Sequence, residues 1–151
     1  MKILIVYDSQ FGNTEKIARA IGSGITGEVK VLRAAEATPA DMNGIDLLIV
    51  GSPTQGGRPT PAIRLFFDRI TEQSLKNVKT AVFDTRLSTK LVILFGYAAG
   101  RIVTMLKSKN STALSPVGAF IVRGSKGPLM DGEEQRAAAW GKQMAEAAAG
   151  K

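Results

Sequence analysis

Apolar residues fill positions 2–7 (KILIVY) almost without a break, and the same occurs at 47–51 (LLIVG). Such unbroken runs, rather than alternation, predict strands covered on both faces. Between them, residues 28–33 (EVKVLR) alternate, which predicts a strand nearer a sheet edge. Two further β-rich runs predict strands four and five, at 79–85 (KTAVFDT) and 116–124 (PVGAFIVRG). Helical spacing separates the strands. Ile17, Ala18, Ile21 and Ile25 line one face of a helix over 13–25, and Ile63, Phe66, Phe67 and Ile70 do so over 60–73. Thr60 is placed to cap that second helix, with Pro61 at its first position. A short helix is expected over 38–45, capped by Thr38, opened by Pro39 and ended by Gly44. Residues 101–110 predict another, with its start open somewhere within 91–100. The last runs over 131–150, rich in Ala and carrying acids in its first turn. The reading is an α/β fold of five strands and about five helices, with a mainly parallel sheet.

Composition narrows the chemistry. At 151 residues, without repeats or linkers, a single domain over 1–151 is expected. The chain has no Cys and no His, so thiolate nucleophiles, disulfides, structural zinc and imidazole-dependent triads are excluded. No metal site and no catalytic side chain suggest themselves. Carboxylates, Lys, Tyr, hydroxyls or a bound cofactor must carry any chemistry. The net charge of +7 favours acidic partners. Nucleic acid is not expected, because aromatics are few and the basic residues are scattered. No apolar run reaches the ~20 residues of a membrane span, and the opening stretch reads as a buried strand rather than a leader. A cytoplasmic location is the expectation.

Three loops at strand carboxyl ends stand out: 8–13 (DSQFGN), 52–59 (SPTQGGRP) and 84–90 (DTRLSTK). In open α/β sheets ligands bind beyond these ends, where the strand order reverses. The first loop is small and polar and runs into a helix, whose free N–H groups suit an anion, most often a phosphate.

With these loops and this order of elements, the whole chain resembles the flavodoxin family. The resemblance implies a three-layer flavodoxin-like fold, strand order 2-1-3-4-5, and FMN as cofactor. Carried over by position, Ser9, Gln10, Phe11, Gly12, Asn13 and Thr14 would hold the phosphate, with the Ser9 and Thr14 hydroxyls assisting the backbone. Pro53, Thr54, Gln55, Gly56 and Gly57 would run along the flavin ring edge. Asp84, Thr85 and Arg86, with Leu87, would close the opposite side. Gly56 and Gly57 would permit the family's redox-linked peptide turn, since glycine takes either sign of φ.

The chain departs from the family pattern twice. Numbered by the strand each follows, 8–13 is loop one, 52–59 loop three and 84–90 loop four; loops three and four lack the aromatics that usually sandwich the flavin, and Phe11, Phe95 and Tyr97 are the nearest substitutes. The chain is also basic where many flavodoxins are acidic. Arg58, Arg64, Arg86 and Lys90 suggest a positively charged edge and redox partners with an acidic docking face. The resemblance implies an electron carrier between proteins. The alternatives are an FMN-dependent oxidoreductase acting on a quinone or porphyrin precursor, and a flavin-free interaction module. Oligomeric state is left open. Residues 22–27 (GSGITG) fit G-x-G-x-x-G but end a helix, so they read as a helix stop.

Overall fold

A computed structural model describes residues 1–88 and 97–150. Five strands form one sheet: β1 (Lys2–Tyr7), β2 (Glu28–Arg33), β3 (Leu47–Pro53), β4 (Lys79–Leu87) and β5 (Gly118–Val122). They lie in the order β2-β1-β3-β4-β5, and every pairing is parallel. Four α-helices cover it among the described residues: α1 (Asn13–Ser23), α2 (Pro61–Arg69), α3 (Ala98–Lys107) and α4 (Glu133–Ala148). The fold class and strand order agree with the sequence reading, and the alternating strand β2 lies at an edge.

The two-sided burial of β1 and β3 is visible residue by residue. Leu4, Val6, Leu48 and Val50 point to one face, with Ile63 and Phe66 of α2 and Ile102 and Leu106 of α3. Ile3, Ile5, Leu47 and Ile49 point to the other, with Ile17 and Ile21 of α1 and Met144 of α4. Period-two alternation through an all-apolar strand therefore builds two cores at once. Trp140 joins the second, edge-on to Phe83 and Phe120, and its indole N–H donates to the Pro116 carbonyl at 2.9 Å.

Several boundaries shift. The expected helix over 38–45 is a single 3-10 turn, Pro39–Met42, held by Asp41 accepting the Thr38 backbone N–H at 2.8 Å. α2 stops at Arg69, and a second 3-10 turn follows at Gln73–Leu75. Strands β3 and β4 run two residues further than their apolar runs, carrying Ser52 and Pro53, then Arg86 and Leu87, into the sheet. Strand β5 is shorter than expected. Lys90 and Phe95, and the question of what precedes α3, fall outside the described residues. Among the described residues no helix is long and apolar enough to cross a membrane.

Glu133 does more than complement the α4 dipole. It is 7% exposed, accepts the Ile121 N–H at 2.7 Å, and takes two bonds from Arg136 at 2.8 and 2.7 Å. Arg136 holds its carboxyl below the usual carboxylate range; burial opposes this and the Ile121 N–H adds to it. A lowered carboxylate stabilises the fold fully above the unfolded value of about 4.3, and the gain disappears as pH falls through the folded value. Glu133→Gln is expected to remove this acid-side loss and to cost about 1–3 kcal/mol at neutral pH. Denaturant unfolding of both proteins between about pH 3 and about pH 7 checks it.

Candidate functional site

The carboxyl ends of β1, β3, β4 and β5 surround a cavity of about 250 Å³, at the place where strand order reverses between β1 and β3. Ser9, Gln10, Phe11, Asn13 and Thr14 line it from the first loop. Pro53, Thr54 and Gln55 line it from the third, Thr85, Arg86 and Leu87 from β4, and Val122 and Ser125 from β5 and beyond. Of the residues expected at the site, Gly12, Gly56, Gly57 and Asp84 do not line the cavity; the glycines shape its loops, and Asp84 lies buried within β4 beneath it.

Loop one is built to leave donors free. Gly12, at φ 89°, precedes α1, and no side chain caps the helix. Its own N–H donates to the Ser9 hydroxyl at 3.0 Å. The N–H groups of Asn13, Thr14 and Glu15 have no acceptor among the described residues. Asn13 and Thr14 are 9% and 2% exposed, so two polar side chains are buried at the start of this helix. Thr14 and Thr85 share a hydroxyl hydrogen bond of 2.8 Å across the cavity floor. Thr14 therefore has a protein partner while also lining the cavity. Arg33 braces the loop from β2, donating to the Ser9 carbonyl at 2.9 Å and approaching Asp8 at 3.4 Å. Arg19 holds Glu15 below its ordinary carboxylate value, and burial raises the Tyr7 phenol.

Loop three is a tight hairpin. Gln55 and Arg58 exchange backbone hydrogen bonds of 2.9 and 3.0 Å, with Gly56 and Gly57 between them at φ 56° and 78°. Positive φ at both central positions is the two-glycine turn that side chains disfavour. Gln55 donates to the Gln10 side chain, so loops one and three meet beside the cavity. Thr54 accepts the Ala98 N–H at 3.2 Å and ties loop three to α3.

The fourth loop corrects the basic edge. Arg86 lies in β4, not in a solvated loop, and both its Nε and Nη2 bind Asp84, at 2.7 and 2.8 Å. Asp84 is fully buried and also accepts the Ala99 N–H at 2.9 Å, capping α3. The Arg86 guanidinium sits 3.4 Å above the Tyr97 ring. One face of Tyr97 is thus taken by Arg86, and among the described residues Phe11, half-exposed, is the aromatic that lines the cavity.

A second cavity of about 620 Å³ lies between the hairpin, α2 and α3, lined by Arg58, Arg64, Tyr97 and Arg101 among others. Of the Arg86–Tyr97 stack, Arg86 lines the first cavity and Tyr97 the second. Arg101 was not singled out in the sequence; only its position one turn into α3 brings it beside Arg58. The residues following β5 were also missed, although a strand running into Gly124-Ser-Lys-Gly127 is itself a turn signal at a carboxyl end.

A parallel sheet in this order, with helix-start donors unpartnered among the described residues and buried hydroxyls at its reversal, defines a doubly wound α/β protein with a polar cleft at the switch point. A family model described as Flavodoxin matches residues 5–140. The chain belongs to the flavodoxin family, whose proteins bind FMN. It is 37% identical over 73 residues to a flavodoxin of Aquifex aeolicus, a match covering 46% of this chain and 40% of that protein. It is 31% identical over 91 residues to an NAD(P)H dehydrogenase (quinone) of Gluconacetobacter diazotrophicus, covering 45% and 46%. The chain thus spans less than half the length of these curated relatives. A solved flavodoxin from the domain Archaea superposes over 99% of both chains with a TM-score of 0.79 at 23% identity.

Proposed function

We propose that this protein is an FMN-binding electron carrier that exchanges electrons with larger redox proteins through a basic face. The unpartnered N–H groups at the start of α1, beside the buried Thr14 and Thr85 hydroxyls, carry the reading. They suit a phosphate in charge and in donor chemistry. Backbone groups of residues 10–14 with the Ser9 and Thr14 hydroxyls would hold it, residues 53–57 would flank the flavin ring, and backbone groups of residues 84–87 would face its pyrimidine end. The flavin supplies the one- and two-electron chemistry when bound. The chain supplies position, electrostatics and exclusion of water. Residues 1–151 act as one unit in this reading, and the cytoplasm is its setting.

Arg58, Arg64 and Arg101 are exposed and make no ion pair among the described residues. The remaining stretch, residues 89–96, contains no Asp or Glu. These three guanidiniums, rather than Arg86, form the positive face beside loop three, and they suit an acidic partner. The alternative, an FMN-dependent oxidoreductase acting on a quinone or porphyrin precursor, is favoured by one observation. The 620 Å³ cavity they line is large enough for a small anionic substrate.

Purified protein is expected to carry FMN in equal amount. Its absence would leave the fold as a flavin-free module. Reversing Arg58 and Arg101 to Glu should slow electron transfer to an acidic acceptor protein by about tenfold at low salt. The deficit should shrink at high salt, and a basic acceptor should gain. A rate untouched by the double reversal would place docking elsewhere. Turnover of a nicotinamide nucleotide with a quinone, without a second protein, would favour the enzyme.

A further inference from the structure

We propose that the segment between β5 and α4, through Ser125 and Lys126, closes the phosphate end of the cavity and supplies its counter-charge; the proposal rests on the FMN reading. After β5 the chain turns back on itself. Arg123 donates to the Pro128 carbonyl at 2.8 Å, Met130 to Ile121 at 2.9 Å, and Val122 bridges Leu129 antiparallel. The tip of this strap, residues 124–127, is thereby held beside loop one, with Gly124 and Gly127 partly buried and Ser125 and Lys126 exposed.

Contact at the tip is close. Gly127, at φ +95°, packs so tightly that a Cβ there would lie 2.6 Å from both amide atoms of Asn13. Next to it, Lys126 Nζ stands 5.9 Å from the centroid of the Phe11 ring, and Ser125 lines the cavity itself. Of the residues of the phosphate loop, Asn13 is therefore packed against the strap and Phe11 lies within cation–π range of it.

Charge accounting gives the strap its role. A phosphate monoester carries about −1.5 to −2 near neutral pH, while the donors of loop one are neutral amides and hydroxyls. Two other cations at the site, among the described residues, are already compensated. Arg33 is held by Asp8 and Glu15, and Arg86 by Asp84. Lys126 makes no ion pair among the described residues, and the strap's one acid, Asp131 at its end, faces Arg123. Lys16 of α1 is also unpaired among the described residues but lines other cavities, so Lys126, beside Phe11, is the described cation placed to answer a dianion here, and its exposure makes the attraction salt-sensitive.

The test measures binding of FMN and of riboflavin, which lacks the phosphate, by flavin fluorescence at low and high salt. Lys126→Gln should weaken FMN about three- to tenfold at low salt and leave riboflavin unchanged, the gap closing as salt rises. Lys126→Arg should restore FMN affinity, whereas Lys142→Gln, on α4, should change nothing. Gly127→Ala, which pushes the strap off Asn13, should act in the same direction with Lys126 intact. FMN binding unaltered in Lys126→Gln, or FMN and riboflavin weakened equally, would overturn the proposal while leaving the FMN reading standing. Failure of the unaltered protein to bind either flavin would overturn that reading itself, and the strap's role with it.

Discussion

Asp84→Ala is expected to lower stability by about 3–5 kcal/mol, the usual cost of breaking a buried ion pair from one side. Asp84 is fully buried, binds Arg86 through both carboxylate oxygens, and accepts the Ala99 N–H that opens α3. Removing it strands the Arg86 guanidinium beside the cavity and leaves the start of α3 without its cap. For a chain of this length the loss corresponds to a fall in Tm of about 10 °C or more. The neutral pair Asp84→Asn with Arg86→Gln should recover part of the loss, because no charge is then left unpaired. Thermal unfolding of the three proteins checks this. A single variant as stable as the parent would mean that Arg86 finds water or another partner as readily as Asp84.

Thr14→Val should weaken FMN about tenfold to a hundredfold more than riboflavin. A charge-assisted hydrogen bond from hydroxyl to phosphate is worth about 1.5–3 kcal/mol. The structure adds a second consequence, since Val also removes the 2.8 Å bond to Thr85. That loss falls on both ligands alike, so the difference between them isolates the phosphate. Thr85→Val, which breaks the same bond but keeps the Thr14 hydroxyl, should show a much smaller FMN-over-riboflavin difference. Equal losses for both flavins in Thr14→Val would mean the phosphate is held elsewhere. Both affinities can be read from flavin fluorescence titrations.

Much of the fold was legible because local periodicity reports burial. Ile3 to Val6 and Leu47 to Val50 are apolar at every position, which only a strand with two covered faces requires. Ile17, Ala18 and Ile21 mark the inner face of α1 by spacing alone. The polar loops at strand ends were legible for a related reason. Their small residues and glycines follow from turn geometry, and parallel crossovers put three of them at the same end of the sheet. Boundaries were less clear. Ser52, Arg86 and Leu87 extend strands by pairing with neighbours, a gain invisible in a hydropathy pattern.

The site itself was decided by register and packing. Thr14 and Thr85 are 71 residues apart and meet because β4 follows β3 beside β1. Arg86 read as a surface charge until Asp84, two residues earlier on the same strand face, and Tyr97 beyond it claimed its guanidinium. Arg101 joined the basic face through the placement of α3, and the strap reached Asn13 through its fold-back on β5. Spacing along the chain fixes which face a residue takes within its own element, because helix and strand have constant periods. Which distant charge or hydroxyl it meets depends on how the elements stack, and that distance is set only when the sheet closes its register and the helices settle on it.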